Sequence, residues 1–145
     1  AAIAAHARPM AESRLAALEP QVDRLFAGAT VSDILAALDH DPGEFAADTA
    51  KALRRNSPLS MAVTLTMIRS PAAAESVRTA LTQEFRATWR LLAEGDFLEG
   101  VRAQIIDKDR NPKWKHSGPA AVTTEEVAAT LAPLGSHELK LEEEL

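Results

Sequence analysis

An all-α fold is what this sequence predicts, and three observations predict it. Alanine and leucine supply most of the 46% hydrophobic content, aromatics make up 4% and tyrosine is absent, a mix that favours helices over strands. Apolar residues recur at three- and four-residue spacing, and no stretch alternates with a period of two. Proline, glycine, serine and threonine fall between the apolar stretches where helix ends require them. The expectation is one helical region over residues 1–145, of about seven helices: N-terminal helices in 1–56, C-terminal helices in 57–134 and a charged, solvated tail in 135–145.

Each element follows from its punctuation. Pro20 suits a first helical turn, so "PQVDRLFAG" reads as a helix closed by Gly28. Thr30 stands as an N-cap, with Asp33 near the helix start, for "VSDILAAL", whose Val31, Ile34, Leu35 and Leu38 form one apolar face. Pro42 opens a helix to about residue 55, where Lys51, Arg54 and Arg55 suit the negative end of the helix dipole. Ser57 caps and Pro58 begins a helix to about residue 69, stopped by Ser70-Pro71. Its Leu59, Val63 and Met67 lie on one side and Met61, Leu65 and Ile68 on the other, which predicts a sandwiched helix.

The longest pattern, 72–93, carries Val77, Leu81, Phe85, Thr88 and Leu92 as a stripe, with Arg86 and Arg90 pointing away, and ends at Gly95. Asp96 and Glu99 have capping-box spacing for a helix to about residue 108, with Phe97, Val101 and Ile105 facing inward and Pro112 barring continuation. After a loop, Thr123 and Glu126 predict a second capping box for a short helix ending near Pro133.

Several function classes fall away on composition. The absence of cysteine removes disulfides, thiolate metal sites and a cysteine nucleophile, and fits a reducing cytoplasm. A net charge of -5 argues against nucleic acid as the main partner, and no apolar run approaches the roughly 18 residues that span a bilayer. "DHDPGE", with Asp39, His40, Asp41 and Glu44, reads as an acidic turn rather than a metal site. Glu94, Asp96 and Glu99 read as helix-end residues rather than an acid–base pair. No nucleophile elbow, phosphate-cradling glycine loop or dinucleotide fingerprint is present.

One segment departs from the acidic average. Between Arg102 and Lys115 five cations face two carboxylates, beside Trp114. Lysine offers phosphate a point charge and arginine a planar fork. The competing reading is a solvated helix end, with Lys108 complementing the dipole and Trp114 anchoring the loop.

"SPLSMAVTLTMIR", "EFRATWRLLAEGDFLEGVRAQIIDKDRNPKW" and "APLGSHELKL", in this order, resemble the C-terminal part of the 3-hydroxyisobutyryl-CoA hydrolase family, a branch of the enoyl-CoA hydratase/isomerase (crotonase) superfamily. "LEPQVDRLFAGATVSDILAAL" fits the same pattern. The resemblance implies the C-terminal helical part of a crotonase-type fold, without the spiral β/α core that carries the catalytic residues, so no catalytic residue is assigned. It implies a CoA thioester as substrate, with no bound cofactor. The implied partners are that acyl-CoA, the missing N-terminal catalytic half and further copies in a homo-oligomer. It also implies Lys108 as a CoA phosphate contact, with Arg110 and Lys113 nearby, and Trp89 lining the adenine pocket. A non-catalytic helical interaction module is the alternative from another class.

Overall fold

Ser13 caps the first helix of the described residues, and over them the all-α expectation holds. The computed structural model describes residues 13–71 and 75–141. Among the described residues there are seven α-helices and no strand. They are α1 (Arg14–Leu25), α2 (Val31–His40), α3 (Glu44–Leu53), α4 (Pro58–Arg69), α5 (Val77–Glu94), α6 (Phe97–Val101) and α7 (Thr124–Leu131). A π-helical turn, Arg102–Ile106, prolongs α6.

The punctuation predicted most boundaries. Thr30 and Thr123 both form complete capping boxes, with Asp33 and Glu126. Ser57 caps α4 and Pro58 occupies its first turn. Two prolines behave differently. Pro20 lies inside α1, which Ser13 caps through the Ala16 N–H at 3.4 Å. Ala16 and Pro20 are both exposed, so water can reach the Ala16 carbonyl left without its donor. Pro42 lies before α3 rather than in it, because the Gly43 N–H donates to Asp41 Oδ1 at 2.9 Å across a turn that places Pro42 at its centre. Asp41 also accepts from Arg24 Nη2 at 2.6 Å, and Asp39 accepts from Arg54 Nη2 at 2.6 Å, so the acidic turn is absorbed by local pairing.

Two apolar cores share α4. Leu25, Val31, Ile34, Leu35, Leu38, Ala46 and Ala50 form the first, with Met61 and Leu65 of α4 packed on it. Leu59, Val63 and Ala87 form the second, joined by Leu91 and by Val127 and Leu131 of α7. The two-sided α4 is thus sandwiched as its sequence predicts, except that Ile68 is 74% exposed.

α5 departs from its predicted orientation. Ser76 caps it at Val77; residues 72–74, where the pattern began, lie outside the described residues. Its buried residue is Ala87, whereas Val77, Leu81 and Leu92 of the predicted stripe are exposed. The arginines supply the reason. Arg90 donates to the carbonyls of Thr130, Ala132 and Pro133, and Arg86 pairs with Glu138 at 2.7 Å. Carbonyls at the end of α7 have no partner within the helix, so cations on α5 turn toward them. Residues 135–141 run along the same helix, held by Arg86 and by Arg78, which donates to the Leu141 carbonyl at 2.8 Å.

Candidate functional site

The cationic segment is organised by one side chain. Arg102 Nε and Nη2 fork the two oxygens of Glu99 at 2.8 and 2.7 Å. Its Nη1 donates to Asp107 at 2.6 Å and Asp109 at 2.8 Å, and Nη2 also reaches the Asn111 carbonyl at 3.2 Å. Arg102 guanidinium, and then the Lys113 N–H at 2.6 Å, hold the Glu99 carboxyl down to about 2 from an ordinary 4.5. Asp109 is also lowered, first by Arg102 and then by the Asn111 N–H. Arg102 itself is pushed up, by Glu99 first and then by Asp109 and Asp107.

Inside this clamp the backbone takes unusual values. Lys108 has φ +56° and Arg110 φ +53°, the left-handed region that long L side chains rarely adopt. The Arg110 N–H closes onto the Ala103 carbonyl at 3.0 Å. Both residues are exposed, and Lys108, Arg110 and Lys113 make no ion pair among the described residues.

The loop then folds back along α6. The capping box expected of Asp96 and Glu99 is not formed. Arg102 and the Lys113 N–H occupy Glu99, and Asp96, 4% exposed, accepts from Ser57 Oγ at 2.6 Å and from the Lys115 N–H at 2.8 Å. Trp114 donates to the Arg55 carbonyl at 3.3 Å. Its indole packs over Gly100, where a Cβ would lie 3.4 Å from the ring, at ordinary van der Waals contact. His116 Nε2 then meets Glu126 at 3.1 Å, and Lys115 reaches the same carboxylate at 3.6 Å. The Glu126 carboxyl is held down to about 2, first by the Thr123 N–H and next by His116.

The same segment lines an open apolar groove of about 740 Å³, with Trp114, Phe97, Val101 and Ile105 on one side and Val31, Met61, Leu65 and Ile68 on the other. Ser57 and Asp96 supply polar atoms at its edge. Phe97 and Ile105, expected to face inward, are 51% and 65% exposed. Both line the groove together with Val101, so the face they share looks into that open groove rather than into a closed core, while Ala103 is fully buried.

This succession of helices and loop is shared with proteins of known family. A family profile matches residues 1–131, nearly the whole chain. The chain belongs to the enoyl-CoA hydratase/isomerase family. Among curated members of known name, 3-hydroxyisobutyryl-CoA hydrolase, mitochondrial, of Rattus norvegicus is 34% identical over 134 residues, which are 90% of this chain and 34% of that protein. The Homo sapiens protein of the same name is 35% identical over 126 residues, 85% of this chain and 32% of that one. The chain therefore spans about a third of the length of these relatives. Among solved structures, an enoyl-CoA hydratase from Rhodobacter sphaeroides 2.4.1 is 46% identical with a TM-score of 0.87, over 97% of this chain and 44% of that one. A carnitinyl-CoA dehydratase from Mycobacterium thermoresistibile is 36% identical with a TM-score of 0.86, over 99% and 41%.

In this member of the enoyl-CoA hydratase/isomerase family, the residues singled out from sequence fall in two places. Lys108, Arg110 and Lys113 share the clamped loop. Trp89 lies on α5, stacked on His137 at 5.2 Å and tilted against Phe85 at 5.8 Å, and no hydrogen bond or ring contact among the described residues joins it to that loop. Sequence reasoning missed the roles of Arg102 and Asp96. For Arg102 a signal existed: carboxylates three residues before it and five and seven after it, within reach of one fork once the chain turns. No helix among the described residues is long and apolar enough to cross a membrane, and no group of three or more His, Asp or Glu among them could hold a metal ion.

Proposed function

We propose that this chain is the C-terminal helical portion of a 3-hydroxyisobutyryl-CoA hydrolase-type enzyme of the family. It covers the acyl-CoA site, meets the CoA phosphates through Lys108 with Arg110 and Lys113 beside it, and supports assembly with the catalytic half and further copies of the enzyme. The observation that carries this reading is that Lys108 and Arg110, exposed and without an ion pair among the described residues, belong to the segment whose Ile105 and Trp114 line the apolar groove. A thioester of CoA has both characters, an anionic nucleotide and an apolar acyl arm. The groove is within the size range of small-molecule sites, about 300–1,000 Å³. The oxyanion donors and the proton-transferring carboxylate belong to the catalytic half in this reading.

The test is the full-length protein assayed for thiol release from 3-hydroxyisobutyryl-CoA. Lys108→Ala is expected to raise KM about tenfold with kcat little changed, as loss of a charge-assisted contact made equally in the ground and transition states requires. An unchanged KM removes Lys108 from the site. A hydratase is the second reading, favoured by the two solved structures, which are a hydratase and a dehydratase. Hydration of crotonyl-CoA without thiol release would select it. A cytoplasmic location belongs to the first reading, supported by the absence of cysteine. Fractionation of cells expressing the full-length protein tests it, and a mitochondrial signal would replace it.

A further inference from the structure

We propose that Arg102 is a positioning residue for the CoA phosphate contact: it ties off the carboxylates flanking Lys108 and fixes the backbone at Lys108 and Arg110, so that both cations stand free for a phosphate. This rests on the reading of the loop as a CoA-binding edge and names the device that makes it one.

The donor count is the first argument. A guanidinium has five N–H donors, and Arg102 uses five in the clamp: two on Glu99, one each on Asp107 and Asp109, and one on the Asn111 carbonyl. Asp107 and Asp109 are the immediate neighbours of Lys108 and would otherwise be its nearest counter-charges. A lysine held by its own neighbours must leave them before it can meet a ligand. Here both carboxylates are already engaged on Arg102 Nη1, and Lys108 is exposed without an ion pair among the described residues.

The backbone is the second argument. Glycine or asparagine would take positive φ at 108 and 110 with little strain, yet the chain places lysine and arginine there. Such strain persists only where the surroundings over-determine it. Bonds from Arg102 to residues 107, 109 and 111, with that from the Arg110 N–H to the Ala103 carbonyl, fix the loop on both sides of each strained residue. Arg102 therefore acts through Lys108 and Arg110 and need not touch the ligand.

The test titrates the full-length protein calorimetrically with CoA and with pantetheine, which lacks the nucleotide phosphates. If release of the clamp leaves the loop competent about a tenth of the time, Arg102→Ala weakens CoA binding about tenfold and leaves pantetheine unchanged. Arg102→Lys does not restore it, since an ammonium cannot span three carboxylates and a carbonyl. The double variant Arg102→Ala/Lys108→Ala binds CoA as Lys108→Ala alone does, because a positioning residue has nothing left to position.

Additive losses, equal weakening of CoA and pantetheine, or unchanged CoA binding in Arg102→Ala would overturn the inference. The exposed Asp107 supplies a variant that does not depend on Arg102→Ala folding. Asp107→Ala removes a negative charge beside Lys108, which by charge alone tightens CoA binding, whereas a weakened clamp loosens it. Weaker binding is expected, and tighter binding sinks the proposal. CoA binding that is absent, or unchanged in Lys108→Ala, instead defeats the underlying reading of the loop, so the two failures are distinguishable.

Discussion

Asp96 does at the scale of one residue what its sequence position does not suggest. Its spacing to Glu99 promises a capping box, and both threonine-led boxes in the chain do form. The difference lies in the competition for the two carboxylates. Glu99 is taken by the fork of Arg102, and Asp96 is buried against a serine hydroxyl 39 residues earlier and a backbone N–H 19 residues later. A local pattern is legible when no stronger distant partner competes for it, as at Thr30 and Thr123. Asp96→Ala leaves Ser57 Oγ and the Lys115 N–H without their acceptor, and is expected to destabilise the protein by about 2–3 kcal/mol, measured by urea denaturation. A loss below about 0.5 kcal/mol, the level of an ordinary surface substitution, would show that water replaces the carboxylate without cost.

Among the elements, α4 was the most legible and α5 the least. The two-sided apolar pattern of α4 required cover on both sides, and two cores provide it. α5 offered a regular stripe, yet its orientation is set by Arg86 and Arg90, whose partners lie at the end of α7 and beyond it. Periodicity reports which face is apolar, not which carbonyls stand open elsewhere. The packing of α6 on the returning loop is equally non-local, with Trp114 seated over Gly100 and room there for a Cβ but no more. Gly100→Val adds branches beyond a Cβ already 3.4 Å from Trp114, so the indole is displaced. In a Trp89→Phe background the expected result is a red shift of Trp114 emission, with CoA affinity reduced through the same loop. An unchanged spectrum would mean that the loop yields elsewhere.

Over the whole molecule, two carboxylates fasten the cationic loop to the helices. Glu99 accepts from Lys113 near its middle, and Glu126 meets His116 at its end while capping α7. Both carboxyls are held to about 2 in the folded protein against an ordinary 4.5. A depressed carboxyl contributes stability that is fully present above the unfolded value and is lost as pH falls from about 4.5 through 2. Melting followed by circular dichroism should therefore be level above pH ~5 and decline below it, less steeply in Glu99→Gln. A Glu99→Gln curve that declines as steeply as that of the unsubstituted protein would separate Glu99 from acid stability. The fold class and the cationic segment were legible in composition and punctuation. The groove was not, because it forms where the α6 segment and Trp114 meet α4, and neither that packing nor the widened winding after α6 has a local signal.

That widening bears on how such a loop arises. The π turn closes through the Asp107 N–H onto the Arg102 carbonyl at 2.8 Å, five residues apart where a regular helix uses four. Each residue turns an α-helix by about 100°, so a single inserted residue re-aims everything that follows it. Lys108 and its neighbours follow directly. The placement of the cations is thus within reach of one codon gained or lost, a much shorter mutational path than building a new loop.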